Sequence, residues 1–158
     1  MRWTGARVRR GLGRIPGRGQ RPAPARVLVA DDDAAIRQLV AVYLTAAGFT
    51  VVLAGSGAAA LELAASGQPR VAVLDAGMPP PGGCDVARQL RADPATAGIR
   101  TVLLWPDGGG QGGLAGVDAG LAKPFSPAEL VALVCGLAGA DPTVTRRAPS
   151  RWGHPRRW

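Results

Sequence analysis

Cysteine and histidine are scarce in this 158-residue chain, which has two of the first and one of the second. Cys84 and Cys135 have neither metal-ligand nor redox spacing, so two reduced thiols, small apolar residues of a cytosolic domain, are expected. His154 has no ligand residues beside it, which leaves a metal or phosphohistidine role without support. Long apolar runs are missing as well: each is broken well before the roughly 20 residues that a membrane span needs. The N-terminal stretch is basic throughout and lacks the continuous apolar segment of a secretory signal. A soluble, cytoplasmic protein is the expectation.

Acidic residues are unevenly placed. Residues 1–24 hold seven arginines and no acid, residues 25–139 hold seven basic residues against ten acids, and residues 140–158 hold five arginines against Asp141, giving +7, −3 and +4. The overall charge of +8 therefore comes from the flanks and not from the middle. A single core of 25–139 between two basic tails fits the usual domain size of roughly 100–150 residues. The first tail mixes arginine with glycine and proline, a composition that buries too little apolar surface to order itself. The second, ending RRAPSRWGHPRRW, interleaves arginine with Trp152 and Trp158. It reads either as a solvated tail or as a weak contact for nucleic acid or an anionic membrane surface.

The middle segment alternates strand and helix patterns. Short apolar runs at Val27–Ala30, Thr50–Ala54, Val71–Leu74 and Thr101–Leu104, with Leu121-Ala122 as a remnant, read as buried strands. Between them Ile36, Leu39, Val40, Tyr43 and Ala47 recur at helical spacing over 34–47, an alanine-rich stretch covers 58–65, and another helix starts over 83–91. Asp33 is placed to cap the helix that follows it, and Ser126 opens the last helix with a capping box formed with Glu129, Pro127 taking the first position. Strands separated by helices predict an α/β fold with a parallel sheet.

Three short segments carry the chemistry. Asp31 and Asp32 in VLVADDD and Asp75 in VAVLDAGMPP each close an apolar run, and Lys123 lies in LAKPF. Carboxylates at strand ends converge on the crevice where open α/β sheets place their ligands. Clustered carboxylates repel one another unless a cation sits among them, and hard oxygen ligands with room for water suit Mg²⁺. The pattern predicts a metal-dependent phosphate site.

From about Arg26 to about Gly139 these segments, in this order, resemble the receiver domain of bacterial two-component response regulators. The resemblance implies a doubly wound, flavodoxin-like sheet of five parallel strands in the order 2-1-3-4-5, flanked by helices. It makes Asp31 and Asp32 the Mg²⁺ pair, Asp75 the phosphoacceptor and a metal ligand, Gly77 a ligand through its backbone carbonyl, and Lys123 the partner of the phosphoryl group. It also implies a sensor histidine kinase or phosphotransfer protein as donor. The chain would then be a signalling domain, its chemistry limited to its own phosphorylation and dephosphorylation, and not an ordinary enzyme.

Two departures from that family stand out. Receivers end the fourth strand with a threonine or serine that bonds the phosphoryl group, and TVLLW puts Trp105 there. About four residues, including an aromatic one, are missing before LAKPF, and five glycines lie within 108–113, so the helix between the fourth and fifth strands should be frayed or shortened. No helix-turn-helix pattern follows. The expectation is a stand-alone receiver charged at Asp75 with altered switching; the alternative is a degenerate receiver acting as a phosphorylation-independent module whose tails bind an anionic partner. A haloacid-dehalogenase-type phosphatase fits poorly, because Asp75 and KPF would then have no role.

Overall fold

The computed structural model describes residues 23–107 and 116–140. They form β1 (Arg26–Ala30), α1 (Ala34–Ala46), β2 (Thr50–Ala54), α2 (Gly57–Gly67), β3 (Val71–Asp75), α3 (Gly83–Ala92), β4 (Arg100–Pro106), β5 (Ala119–Lys123) and α4 (Pro127–Ala138). All five strands are parallel and lie in one sheet in the order β2-β1-β3-β4-β5. This is the doubly wound α/β architecture expected. The frayed helix expected between β4 and β5 and most of both basic tails lie outside the described residues. No helix among the described residues is long and apolar enough to cross a membrane.

Strand alternation divides the core between the two faces of the sheet. Val27, Val29, Val71, Val73, Val102 and Leu104 meet Val40 and Leu44 of α1 and Leu130 and Val134 of α4. On the other face Leu28, Ala30, Leu74 and Leu103 meet Ala60 and Ala64 of α2 and Val86 and Leu90 of α3. Every residue of β3 is buried, as suits a central strand covered by helices on both sides. Each fully buried leucine or valine contributes about 1.5–3 kcal/mol, so this double layer fixes the strand ends that carry the site.

The helices start where their caps dictate. The Asp33 carboxylate accepts from the Ala35 and Ile36 amides, and Ser56 and Ser126 accept from those of Ala59 and Glu129. Glu129 returns a bond to the Ser126 amide, completing the expected capping box. At α3 the constraint is steric: a Cβ on Gly83 would stand 2.4 Å from the carbonyl oxygen of Asp75. Glycine lets α3 begin directly against the end of β3.

β4 and β5 are longer than their sequence patterns suggest. β4 continues past Leu104 to Pro106, and β5 begins at Ala119. Asp118 secures the return between them: its carboxylate accepts from the Thr101 amide at 2.8 Å, Arg100 at 2.9 Å and Arg91 of α3 at 3.1 Å. Burial opposes ionisation of Asp118, but these donors outweigh it and hold its carboxyl below the ordinary carboxylate range.

Candidate functional site

The carboxyl ends of β1, β3 and β5 bring the expected residues together. Asp31 follows β1, while Asp75 and Lys123 are the last residues of β3 and β5. Asp31, Asp32 and Asp75 each offer a carboxylate oxygen within 4.8 Å of the others. The Lys123 ammonium donates to Asp75 Oδ1 at 2.8 Å and to Asp31 Oδ2 at 3.2 Å. Asp31 and Asp75 are buried, and Asp32 is exposed at the rim. The Lys123-Pro124 peptide is cis.

The entry to α1 holds Asp31 in place. Its Oδ1 accepts from the Asp33 amide at 2.9 Å, and its backbone carbonyl accepts from Arg37 at 2.6 Å. Arg37 is a supporting residue that the sequence reading missed. Its only sequence signal is a position four residues beyond the N-cap, and what it contacts depends on how the turn folds back. Gly77 lies beside the acceptor position, since a Cβ there would come within 3.2 Å of Asp75 Oδ2.

One ammonium among three carboxylates leaves excess negative charge in a partly dry crevice. Burial raises the Asp31 carboxyl above its ordinary value, although the Asp33 amide and Lys123 act in the opposite direction. For Lys123, burial alone would lower the pKa; hydrogen bonds and attraction to Asp75 and Asp31 outweigh it and raise the value. A hard divalent cation fits this all-oxygen, net-negative donor set, and Asp31, Asp32 and Asp75 are the side chains that would hold it.

Trp105 stands near the end of β4, where the resemblance places a threonine or serine. Because β4 extends to Pro106, strand alternation turns Trp105 to the face of α2 and α3, where it packs against the cluster containing Leu103. Pro106 pairs in register with Lys123 and shares the sheet face of Asp75. It lines, with Ile36, Leu39, Tyr43, Lys123 and Phe125, an apolar groove of about 440 Å³ beside the acidic cluster.

The family model for the response regulator receiver domain matches residues 27–135. The chain is similar to the response regulator MprA of Mycolicibacterium vanbaalenii, with 42% identity over 113 residues, 69% of this chain and 48% of that protein. It thus spans about half the length of the curated relatives it matches. Among solved structures, the receiver domain of the Francisella response regulator 1452 is 31% identical with a TM-score of 0.67, covering 73% of this chain and 97% of that one. The chemotaxis response regulator CheY4 of Vibrio cholerae is 26% identical with a TM-score of 0.64, covering 72% and 98%. With the strand order and acidic crevice already in place, these matches establish that the chain belongs to the response regulator receiver family of two-component systems.

Proposed function

We propose that this receiver accepts a phosphoryl group on Asp75 from the phosphohistidine of a sensor kinase or phosphotransfer protein. The observation that carries the reading is the 2.8 Å contact between buried Asp75 and the Lys123 ammonium, inside a cluster of three carboxylates. An oxygen of Asp75 forms the new O–P bond as the donor's N–P bond breaks, and the electron pair of that bond stays on the imidazole nitrogen. The product is an acyl phosphate. Lys123, already in contact with the Asp75 carboxylate, is placed to stabilise the anionic oxygens of the transferring group. Mg²⁺, when held by Asp31, Asp32, Asp75 and the Gly77 carbonyl, would screen the charge of carboxylate and phosphoryl from each other. Arg37 and the Asp33 amide keep Asp31 oriented for that role.

Incubation with acetyl phosphate and Mg²⁺ should add the mass of one phosphoryl group to the intact protein. Asp75→Asn keeps the shape of the residue and removes the nucleophile, so it should abolish the addition while leaving the circular dichroism spectrum unchanged. Uptake by the Asn variant equal to wild type would rule out Asp75 as the acceptor.

Trp105 favours a second reading, because an indole packed against the core at the end of β4 stands where the family has a hydroxyl for the phosphoryl group. Under that reading the domain is a phosphorylation-independent interaction module with basic tails that bind an anionic partner. Failure of wild type to gain mass from acetyl phosphate and from a phosphohistidine donor would favour it.

A further inference from the structure

We infer that the apolar groove between α1 and the ends of β4 and β5 is the docking site of a segment of this same chain, residues 151–158, whose tryptophans enter it and whose arginines meet the acidic edge beside it. The inference goes beyond the phosphoryl-transfer reading and does not depend on it, because neither the groove nor the segment contributes an atom to the transfer.

The groove leaves apolar side chains open to solvent. Ile36, Leu39 and Tyr43 follow one another at spacings of three and four residues and so form one stripe along α1. Pro124 and Phe125, just beyond β5, complete the lining of a space of about 440 Å³. Leu39 is 46% exposed, one of two large apolar side chains among the described residues left so open. An indole suits such a surface, since it buries roughly 150–250 Å² and stacks offset against rings such as those of Tyr43 and Phe125.

Charge selects the occupant. On the side of α1 and α4, Asp31, Asp32 and Asp33 after β1, Asp75 at the end of β3, Asp107 after β4 and Glu129 in the first turn of α4 stand at the carboxyl edge, against Arg37 and Lys123. Asp107 lines the groove itself. Lys123 lines it too, but its ammonium is already engaged by Asp75 and Asp31. The other basic residues that adjoin the strands, Arg26, Arg70 and Arg100, stand at the opposite, amino edge. A ligand for this groove is therefore apolar with flanking cations. In the C-terminal flank Arg151 directly precedes Trp152, and Arg156 and Arg157 precede Trp158.

The flank is long enough to return. α4 starts at the carboxyl edge and leads away from it for 12 residues, a rise of about 18 Å. Ala140 packs on the core cluster that α1 and α4 share, so the flank sets out from the face that carries the groove. From Ala140 to Trp152 an extended chain spans up to about 40 Å, which leaves slack for the path back along α4. Tethering also sets the local concentration of the segment on the order of 1 mM, so even a weak contact is populated. The N-terminal flank has a single tryptophan, Trp3, with no second one to anchor it.

The test uses the full chain and follows the indole N–H resonances of its four tryptophans by two-dimensional NMR, each assigned by a Trp→Phe variant. In the wild type the Trp152 or Trp158 signal should stand apart from its position in urea. Leu39→Lys removes apolar surface from the groove and repels the arginines, and should return that signal at least about half of the way to its urea position. Val42→Lys is the control, because Val42 is 60% exposed on the same helix and does not line the groove. It should leave the signal in place. If Leu39→Lys fails to fold, judged by the dispersion of the core amides, Leu39→Ser makes the same comparison.

Indole signals of Trp152 and Trp158 that coincide in the wild type with their urea positions would overturn the inference. So would an equal response to Leu39→Lys and Val42→Lys, which would put the contact elsewhere on α1. A signal that moves to its urea position on dilution would assign the groove to the flank of a second copy and overturn the intramolecular contact. None of these outcomes bears on Asp75, whose role is read separately from intact mass.

Discussion

Lys123 is the only lysine in the chain, against eighteen arginines, and its ammonium reaches two carboxylates. An ammonium on a flexible stem can turn between Asp31, Asp75 and an incoming phosphoryl group, whereas a planar guanidinium needs a wider, fork-shaped space. Lys123→Met should lower the rate of phosphoryl incorporation by about a hundredfold, as loss of a donor to developing negative charge typically does. Lys123→Arg should recover only part of it, and a quench series followed by intact mass checks both. Asp32 offers a different test, being exposed and unimportant for packing. Asp32→Asn should weaken Mg²⁺ binding at least about tenfold, or 1.4 kcal/mol, in a calorimetric titration, with little change in melting temperature. Much of this site was legible in the sequence, because Asp31, Asp75 and Lys123 each close or follow an apolar run, and the cap at Asp33 is a local interaction. The end of β4 was not legible. Nothing within TVLLWP marks where the strand stops, and a boundary read from pattern alone is uncertain by one or two residues.

At the scale of elements, the β4–β5 pair depends on an anchor that no local pattern reveals. Asp118 joins Arg91 of α3, Arg100 and Thr101 of β4, partners 17 to 27 residues away in sequence. Helix caps and alternating strands repeat within a few residues and can be read directly; a carboxylate that collects donors from two elements is apparent only once they are packed. The thin apolar signal of 119–123, reduced in sequence to Leu121-Ala122, is compensated by this anchor and by pairing along all five positions of β5 with β4. Asp118→Asn removes the charge while keeping an acceptor for the Thr101 amide, and should lower stability by about 1 kcal/mol at neutral pH, since the arginine partners are themselves partly exposed. The pH dependence has a definite sign. The folded-state pKa of Asp118 lies below its ordinary 3.8, so its contribution is present above about 3.8 and is lost as pH falls through the folded value. Denaturant melts of wild type and variant should therefore differ at pH 7 and converge in strong acid. A gap that persists below the folded pKa would assign the loss to packing and not to charge.

Over the whole molecule, charge is segregated in a way that composition alone hides. The segment 25–139 carries −3 and its buried carboxylates gather at the carboxyl edge of the sheet, while residues 1–24 and 140–158 carry +7 and +4. Ala25 and Ala140, where the two basic flanks join the fold, both pack against the same core cluster, on the face of α1 and α4. Eleven excess positive charges in sequence thus flank a domain that is itself mildly acidic, a charge pattern that suits binding a polyanion by its backbone. The full chain should bind duplex DNA weakly and without sequence preference, and the logarithm of the binding constant should fall with the logarithm of salt at about −0.9 per phosphate neutralised. Removing residues 1–24 should make that slope shallower, because fewer counterions are then released on binding. Removing residues 141–158 as well should bring binding below detection, since what remains is net negative and would be repelled by the duplex. Fluorescence anisotropy of a labelled duplex at four or five salt concentrations checks the series. Binding that ignores salt, or that survives loss of both flanks, would place the contact on the folded domain and remove the flanks from any account of nucleic-acid recognition.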